Sequence, residues 1–446
     1  MADSIFHKDF KAMPWWWEWW HPSNELSQDP PLKTDVLVVG AGYGGLSTAL
    51  ELARSGIEVT VLERGDFGVG ASTRNGGGVS GGTTMGKGFS GKGVGGDAEA
   101  WKQIMARMLS DAAESLTQVE TVIQREGIEC YWRMNGRFSG AYTPRHYKEQ
   151  EAKVGTYNEK ALGTYMVPRE RQREEIASDY YYGGMVVERT GQLHPALYFG
   201  GLLKAAHRAG AKLCANCNAE QIERKPANSG GGFRVLTSKG PIEARELVIA
   251  TNGYTTELTP TLRRKLVPVA SHIIATEELP EDLVQSLIPK NRVVSDTKRV
   301  LCYYRQSPDN KRVIFGGRAR FTQVTPEVSA PVLHGYMLER WPQLKGVKVT
   351  HAWTGNVAFA FDFLPHMGQE QGMHYLMACN GSGVAMMSYL GYQTARKIAG
   401  GSNAPVNAFD GQPFPTVPFY SGDPEWVLPF VGAWYRTRDW WDRVTA

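Results

Sequence analysis

Asp35-Val36-Leu37-Val38-Val39-Gly40-Ala41-Gly42-Tyr43-Gly44-Gly45 is the stretch on which the reading of this chain turns. Asp35 to Val39 reads as a buried strand and Gly40 to Gly45 as a glycine-rich turn. Leu46, Ala49, Leu50 and Ala53 then recur at helical spacing until Gly56 stops the helix. Ile57, Val59 and Val61 alternate as a second strand that ends at Glu63, completing one βαβ unit. Within it, Gly40, Gly42 and Gly45 fit G-x-G-x-x-G: the first permits the tight turn, the second admits a pyrophosphate, and the third lets helix meet strand. Glu63 lies 18 residues after Gly45, where a carboxylate accepts hydrogen bonds from a ribose diol. Strand, turn, helix and acid together point to a bound dinucleotide.

The rest of the chain is ample for two domains, with 446 residues of which 42% are hydrophobic. A net charge of +4 is spread thinly, and the densest basic run, Arg263-Arg264-Lys265, is too short to track nucleic acid. The five cysteines, at 130, 214, 217, 302 and 379, are odd in number and irregularly spaced, which suits a reducing compartment and a packing role. Cys214 and Cys217 sit in a β-like run, Lys212 to Arg224, where residues three apart face opposite ways, so no metal site is expected. Neither a signal-peptide pattern nor an apolar run approaching the ~20 residues of a membrane span is visible, and a cytoplasmic location is expected. Trp15, Trp16, Trp17, Trp19 and Trp20 form an aromatic cluster expected to pack over the protein body rather than sit at a lipid interface.

The pattern divides the chain into a tryptophan-rich arm (1–33), a discontinuous nucleotide-binding domain (34–95, 180–260 and 350–401), a substrate domain (96–179 and 261–349) and a C-terminal extension (402–446). Residues 98–126 read as a helix, as does a segment from Pro195 to about Gly210. A Pro-Ala-Asn-Ser-Gly-Gly-Gly turn occupies 226–232, and Leu247 to Ala250 is a buried strand returning to the first domain. Ser271 to Thr276, Val300 to Arg305 and Arg312 to Gly316 are strands of a second sheet inserted into the chain path of the first. A strand at His374 to Ala378, a turn and a helix through Ala399 close the nucleotide domain. The fold class is therefore α/β, a Rossmann-type domain with an inserted, mostly antiparallel substrate sheet.

Three further glycine-rich segments choose the dinucleotide. They are Gly70 to Gly78, Ala250 to Tyr254, and Asn380 to Val384, the last opening a helix whose positive pole faces the ligand. With Pro268 to Glu277, Phe315-Gly316-Gly317, Trp353-x-Gly355 and Asp362-x-Leu364-Pro365, these segments resemble the D-amino-acid oxidase-like flavoproteins from about Asp35 to Gly401, and most closely the γ-glutamylputrescine oxidase branch, related to glycine and sarcosine oxidases. The resemblance implies FAD. Its contacts are expected from Gly40, Gly42, Tyr43, Gly44, Gly45, Glu63 and Arg64, then from Gly70, Ala71, Ser72, Arg74, Asn75, Gly76, Gly77 and Gly78. Ala219, Thr251, Asn252, Gly253, Gly355, Asp362, Asn380, Gly381, Ser382, Gly383 and Val384 complete the expected set.

By the same resemblance the chain is expected to pass a hydride from a carbon bearing nitrogen to the flavin, leaving an imine for water to hydrolyse. The substrate is a small amine, imino acid or N-substituted amino acid; oxygen or a carrier takes the electrons, and no dedicated acid or base is named. Relatives that hold flavin covalently carry Cys or His where this chain has Gly355 and Asn75, so non-covalent FAD is expected. The α-carboxylate arginine of glycine oxidases has no match at Trp353-Thr354-Gly355, which argues against a simple α-amino acid; the candidate substrates, in order, are a γ-glutamyl or ω-carboxylated amine, an N-substituted glycine or iminodiacid, and a polyamine derivative. The oxygen-activating lysine of sarcosine oxidase falls on Ile314, with Lys311 or Arg312 as substitutes under a slipped register. His272, Tyr304 and Arg305 are the expected substrate contacts. Two other readings, an NADPH-dependent flavin monooxygenase and a non-catalytic flavin-binding assembly protein, lack a second nucleotide motif and leave the flavin-facing segments unexplained, respectively.

Overall fold

The computed structural model describes residues 4–81, 98–226, 228, 230–404 and 406–446. Parts of the expected first nucleotide segment (82–95) and of the 226–232 turn (227 and 229) lie outside these residues.

Two sheets organise the chain. The first has eight strands centred on Lys33–Val39. Its neighbours Val59–Leu62 and Gly240–Ile249 both run parallel to it, and Val59–Leu62 passes on to Lys212–Cys214, also parallel. Near-continuous Val, Leu and Ile at Val36, Leu37, Val38, Val59, Val61, Leu247 and Val248 suit strands buried on both faces. Gly240–Ile249 also meets Met373–Met377 in parallel and the antiparallel pair Phe233–Thr237 and Ala219–Arg224. Helices Tyr43–Arg54, Pro195–Arg208 and Gly383–Gly400 cover this sheet with one apolar core. A Cβ at Gly391 would run into the Gly44 carbonyl, so these two glycines set how closely the first and last of those helices cross.

The second sheet has nine strands in the order Phe6–Lys11, Val349–Ala360, Leu266–Thr276, Val313–Gly317, Cys302–Gln306, Val293–Asp296, Arg137–Gly140, Gly184–Val187 and Thr164–Val167. All neighbours are antiparallel except at two contacts, Phe6–Lys11 with Val349–Ala360 and Val293–Asp296 with Arg137–Gly140. Its outer face packs Phe138, Val294, Tyr304, Phe315 and Ile274 under helix Pro326–Arg340 and Trp341. Its inner face presents Ile273, Ala275, Ile314 and Trp353, against which Trp15 and Trp16 of the arm are buried.

The boundaries differ from the pattern-based ones at four segments. Gly184–Val187 and most of Val349–Ala360, assigned from the pattern to nucleotide segments, belong to the second sheet, because strand runs alone do not reveal which sheet they join. The arm is more than a cover: it contributes the edge strand Phe6–Lys11. The C-terminal helix Leu428–Val444 returns to the substrate sheet, where Asp439 accepts hydrogen bonds from Arg299 N (3.0 Å) and Val300 N (2.9 Å). The run Lys212 to Arg224 is likewise not one strand. It breaks after Cys214, with Asn216 at φ +51°, so Cys214 and Cys217 fall in the same buried cluster instead of on opposite faces.

Candidate active site

The crevice begins at the glycine turn. Gly40 adopts φ +105°, open to glycine at little cost, and donates its N–H to Leu62 O at 2.8 Å, which ties the turn to the next strand. A Cβ at Gly45 would strike the Gly40 carbonyl, so its role is helix–strand contact and it does not line the cavity. Glu63 accepts from Ala41 N (3.2 Å) and Gly65 N (3.4 Å). Burial pushes its carboxyl above the ordinary carboxylate value, these backbone donors opposing it. Tyr43 has both donors engaged, its hydroxyl donating to Pro195 O and its N–H to Ser72 Oγ (both 3.1 Å), so it borders the crevice by contact.

The Gly70–Gly78 loop is held by its own side chains. Asn75 Oδ1 accepts from Gly77 N (2.9 Å) while Nδ2 donates to Ser72 O (2.9 Å), fixing a turn with its amides presented. Arg74 donates to Val69 O (2.8 Å) and Thr354 O (3.2 Å), stacks over Trp17 (4.6 Å) and accepts from Trp353 Nε1 (2.8 Å) at its carbonyl. The arm, the flavin-side loop and the substrate sheet therefore meet at one residue. Opposite, Asn252 Oδ1 accepts from Ala378 N (3.0 Å) and Asn380 Oδ1 from Ala360 N (3.1 Å), locking the turns that precede helix Gly383–Gly400.

A continuous cavity of about 830 Å³ joins these segments to the inner face of the second sheet. It is bordered by Gly40, Gly42, Tyr43, Gly44, Glu63, Arg64, the whole Gly70–Gly78 set named above, Ala219, Thr251, Asn252, Gly253, Gly355, Asn380, Gly381, Gly383 and Val384. Two helix N-termini, which donate, and a half-buried carboxylate at the far strand, which accepts, are the groups that a pyrophosphate and a ribose require. The residues present fit FAD.

The roof of the cavity corrects the expected substrate contacts. Neighbouring residues of a strand face opposite ways. Tyr303 and Arg305 point inward, so Tyr304 points outward: although it borders the cavity, its ring stacks on Phe315 (5.0 Å) and its hydroxyl meets that of Tyr181 (2.7 Å). His272 is off the cavity for the same reason, paired through Nδ1 with Thr354 Oγ1 (2.9 Å) and held down to about 4 by burial. Ser271, its neighbour, lines the cavity instead and shares a hydrogen bond with Tyr303. Arg305 does line it, yet two of its donors are spent on Leu193 O (2.7 Å) and Gln306 O (3.0 Å), and burial pulls it down to about 9. Asp362 and Ser382 also lie off the cavity; the Asp362 carboxylate partners His366 Nε2 at 3.0 Å.

Residues that sequence reasoning missed are Tyr303, Ser271, Arg318 and Arg137, all on the lining. The signal for Tyr303 was present: once Arg305 faces inward, the period of two requires Tyr303 beside it. Ile314 borders the cavity as the unslipped register requires, whereas Lys311 and Arg312 are turned to Glu278 and do not.

A dinucleotide crevice opening under an antiparallel roof defines a two-domain flavoprotein oxidoreductase. The chain belongs to the DAO family of FAD dependent oxidoreductases, whose pattern matches residues 35–397. FAD is its cofactor, held non-covalently. It is 31% identical over 415 residues to gamma-glutamylputrescine oxidoreductase of Escherichia coli K12, covering 91% of this chain and 92% of that protein. In fold it is similar to glycine oxidase from Geobacillus kaustophilus, with TM-score 0.69 at 19% identity over 87% of this chain and 99% of that one. L-proline dehydrogenase from P. horikoshii gives TM-score 0.68 at 20% identity over 85% and 97%. No helix among the described residues is long and apolar enough to cross a membrane.

Proposed function

We propose that this enzyme, which oxidises a carbon–nitrogen bond through its flavin, acts on a small amine bearing a carboxylate away from the oxidised bond, of the γ-glutamyl or ω-carboxylated kind, with N-substituted glycines and iminodiacids next. One observation carries the reading. Arg137, Arg305 and Arg318 border the cavity, and none forms an ion pair with a carboxylate of the described residues. An acidic substrate supplies the missing charge. The likeness to gamma-glutamylputrescine oxidoreductase points the same way.

Bound FAD supplies a two-electron acceptor for the hydride leaving the substrate carbon. For that the amine must be neutral, and the apolar inner wall of Ile314 and Leu301 disfavours its ammonium form by desolvation. Tyr303, packed across Gly316 and against Gly76, fixes the roof height above the Gly76 loop, and its hydroxyl, tied to Ser271, keeps one side of the substrate oriented. The nitrogen's proton leaves to solvent as the imine forms, and water then cleaves the imine to a carbonyl and an amine. The assigned FAD contacts are the lining residues named above.

Anaerobic mixing with a panel of amines, each with and without a remote carboxylate, tests this directly. Loss of flavin absorbance near ~450 nm is expected with the carboxylated amines and no nicotinamide. Bleaching by NADPH alone, or by no amine, would remove the reading. Re-oxidation by oxygen or by a dye then identifies the acceptor.

A further inference from the structure

Arginines in this chain are nearly all answered where they are buried. Arg292 is bridged by Glu175 (2.7 Å) and Glu188 (2.8 Å), and Arg340 by Asp296 (2.9 Å). Arg299, on the cavity wall, is held by Asp439 (3.2 Å) and Asp442 (2.5 Å). Arg305 spends donors on Leu193 O and Gln306 O, and Arg318 donates to Arg299 O (3.1 Å) while lying over Phe359 (4.9 Å). Arg137 is the contrast. It opens strand Arg137–Gly140, opposite Val293 and Val187, and all three border the cavity. Its Nε is buried with no hydrogen-bond partner, and no carboxylate of the described residues pairs with it. A Cβ placed on Gly78 would lie 3.9 Å from its Nη2, which sets the guanidinium over the end of the flavin-side loop.

An unanswered guanidinium taken from water is costly, several kcal/mol in the general case, unless an anion joins it. Burial lowers it to about 10, while the neighbouring Tyr157 favours its charged form. It stays a cation at neutral pH. Resting on the carboxylated-amine reading above, we propose that Arg137 is the anchor for the remote carboxylate of the substrate, and that it sets the chain length the enzyme accepts. Arg137–Gly140 lies two strands from Cys302–Gln306, about 10 Å at ordinary strand spacing. A carboxylate gripped there reaches the floor beneath Tyr303 only through a spacer of several methylenes, which excludes α-amino acids and favours long ω-carboxylated amines.

The test uses the holoenzyme, its Arg137→Met and Arg137→Lys variants, ω-amino acids of three to six carbons and the n-alkylamines of matching length. In the parent, KM for the ω-amino acids is expected to fall as the chain lengthens. Arg137→Met should raise KM for the longest acid at least about tenfold, flatten that length dependence and leave the alkylamines unchanged, with Arg137→Lys recovering part of the loss. An equal effect on both series, or an unaltered length dependence, overturns the proposal. In parallel, four- to six-carbon dicarboxylates should perturb the flavin spectrum of the parent and not of Arg137→Met. If no amine of either series bleaches the flavin, the substrate reading fails by itself. The dicarboxylate titration then judges Arg137: a perturbation shared by parent and variant, or seen in neither, overturns the anchor, and one lost only in the variant upholds it.

Discussion

Tyr303 Oη lies 3.0 Å from Ser271 Oγ, a hydrogen bond made across the intervening strand Val313–Gly317. It spans that strand because Gly316 has no side chain between them: a Cβ there would collide with the Tyr303 ring. The pair marks the inner face of the roof. Tyr303→Phe, at a half-buried position open to the cavity, is therefore expected to keep a full flavin complement and the parental melting temperature, while kcat/KM falls about tenfold. Tyr304→Phe should do the reverse, losing the bond to Tyr181 Oη and costing about 1 kcal/mol of stability with kinetics intact. Steady-state kinetics and thermal melts on both variants decide it. If the two exchange phenotypes, the assigned facing of this strand is wrong.

Replacing Glu63 with Gln should weaken FAD binding by about 1.5–3 kcal/mol, since a charge-assisted ribose contact is lost. The variant is expected to purify partly colourless and to take up added FAD. Because Glu63 also receives Ala41 N and Gly65 N, an amide in its place keeps one acceptor for them, and the apoprotein fold should hold. A full flavin complement with parental affinity would count against the nucleotide assignment.

His272 makes stability pH-dependent. Its folded value, about 4, lies below the ordinary 6.5, so between these values the unfolded chain binds more protons than the native one. Stability therefore rises with pH from 4 to 6.5 and is lost as pH falls through that window, by about 3 kcal/mol from this group alone. His272→Asn retains a polar partner for Thr354 and removes the titration, so the slope of melting temperature against pH should flatten there. An unchanged slope would assign the acid sensitivity elsewhere, for instance to His194, which burial holds down to about 3.

Asp439 receives Arg299 N, Arg299 Nη1 and Val300 N from within a 3% exposed position, so it carries the docking of the C-terminal helix. Asp439→Asn should cost about 1–2 kcal/mol, because the backbone N–H groups of Arg299 and Val300 lose a charged acceptor while Asp442 still answers the Arg299 guanidinium. Arg299 and Tyr435 both border the cavity, so KM should rise as well while flavin content stays normal. Limited proteolysis is expected to cut first near the start of helix Leu428–Val444. A variant as stable and as resistant as the parent would show that the helix is held by its other contacts.

The nucleotide half was readable because its signals are local. Asp35 to Glu63 carries strand, turn, helix and acid in one run, and the structure places strand Lys33–Val39, helix Tyr43–Arg54 and strand Val59–Leu62 along it. The helix read over 98–126 is likewise found at Ala98–Glu126. Facing in the second sheet was not readable to the same degree. Tyr304 and Arg305 are adjacent, so an inward Arg305 obliges an outward Tyr304, and choosing between the two parities needs tertiary contacts. The same one-residue step separates His272 from Ser271. Arg137 was missed for another reason: nothing local in a mixed segment tells that no carboxylate of the described residues pairs with it, since that is a property of everything packed around it. Asp439 and Arg299 are 140 residues apart, and no spacing rule connects them.

Strand Phe6–Lys11 changes what the enzyme shows to its neighbours in solution. Without it, the outer flank of Val349–Ala360 from Val349 to His351 would present unpaired N–H and C=O groups beside apolar side chains, a template for another chain to extend the sheet. The arm occupies that flank and offers in its place a six-residue border with Lys8, Asp9 and Lys11 exposed, which repels further strand addition. Loss of the first dozen residues would thus first be felt as aggregation at high concentration, in a protein whose flavin-side loop and cavity lining are otherwise in place.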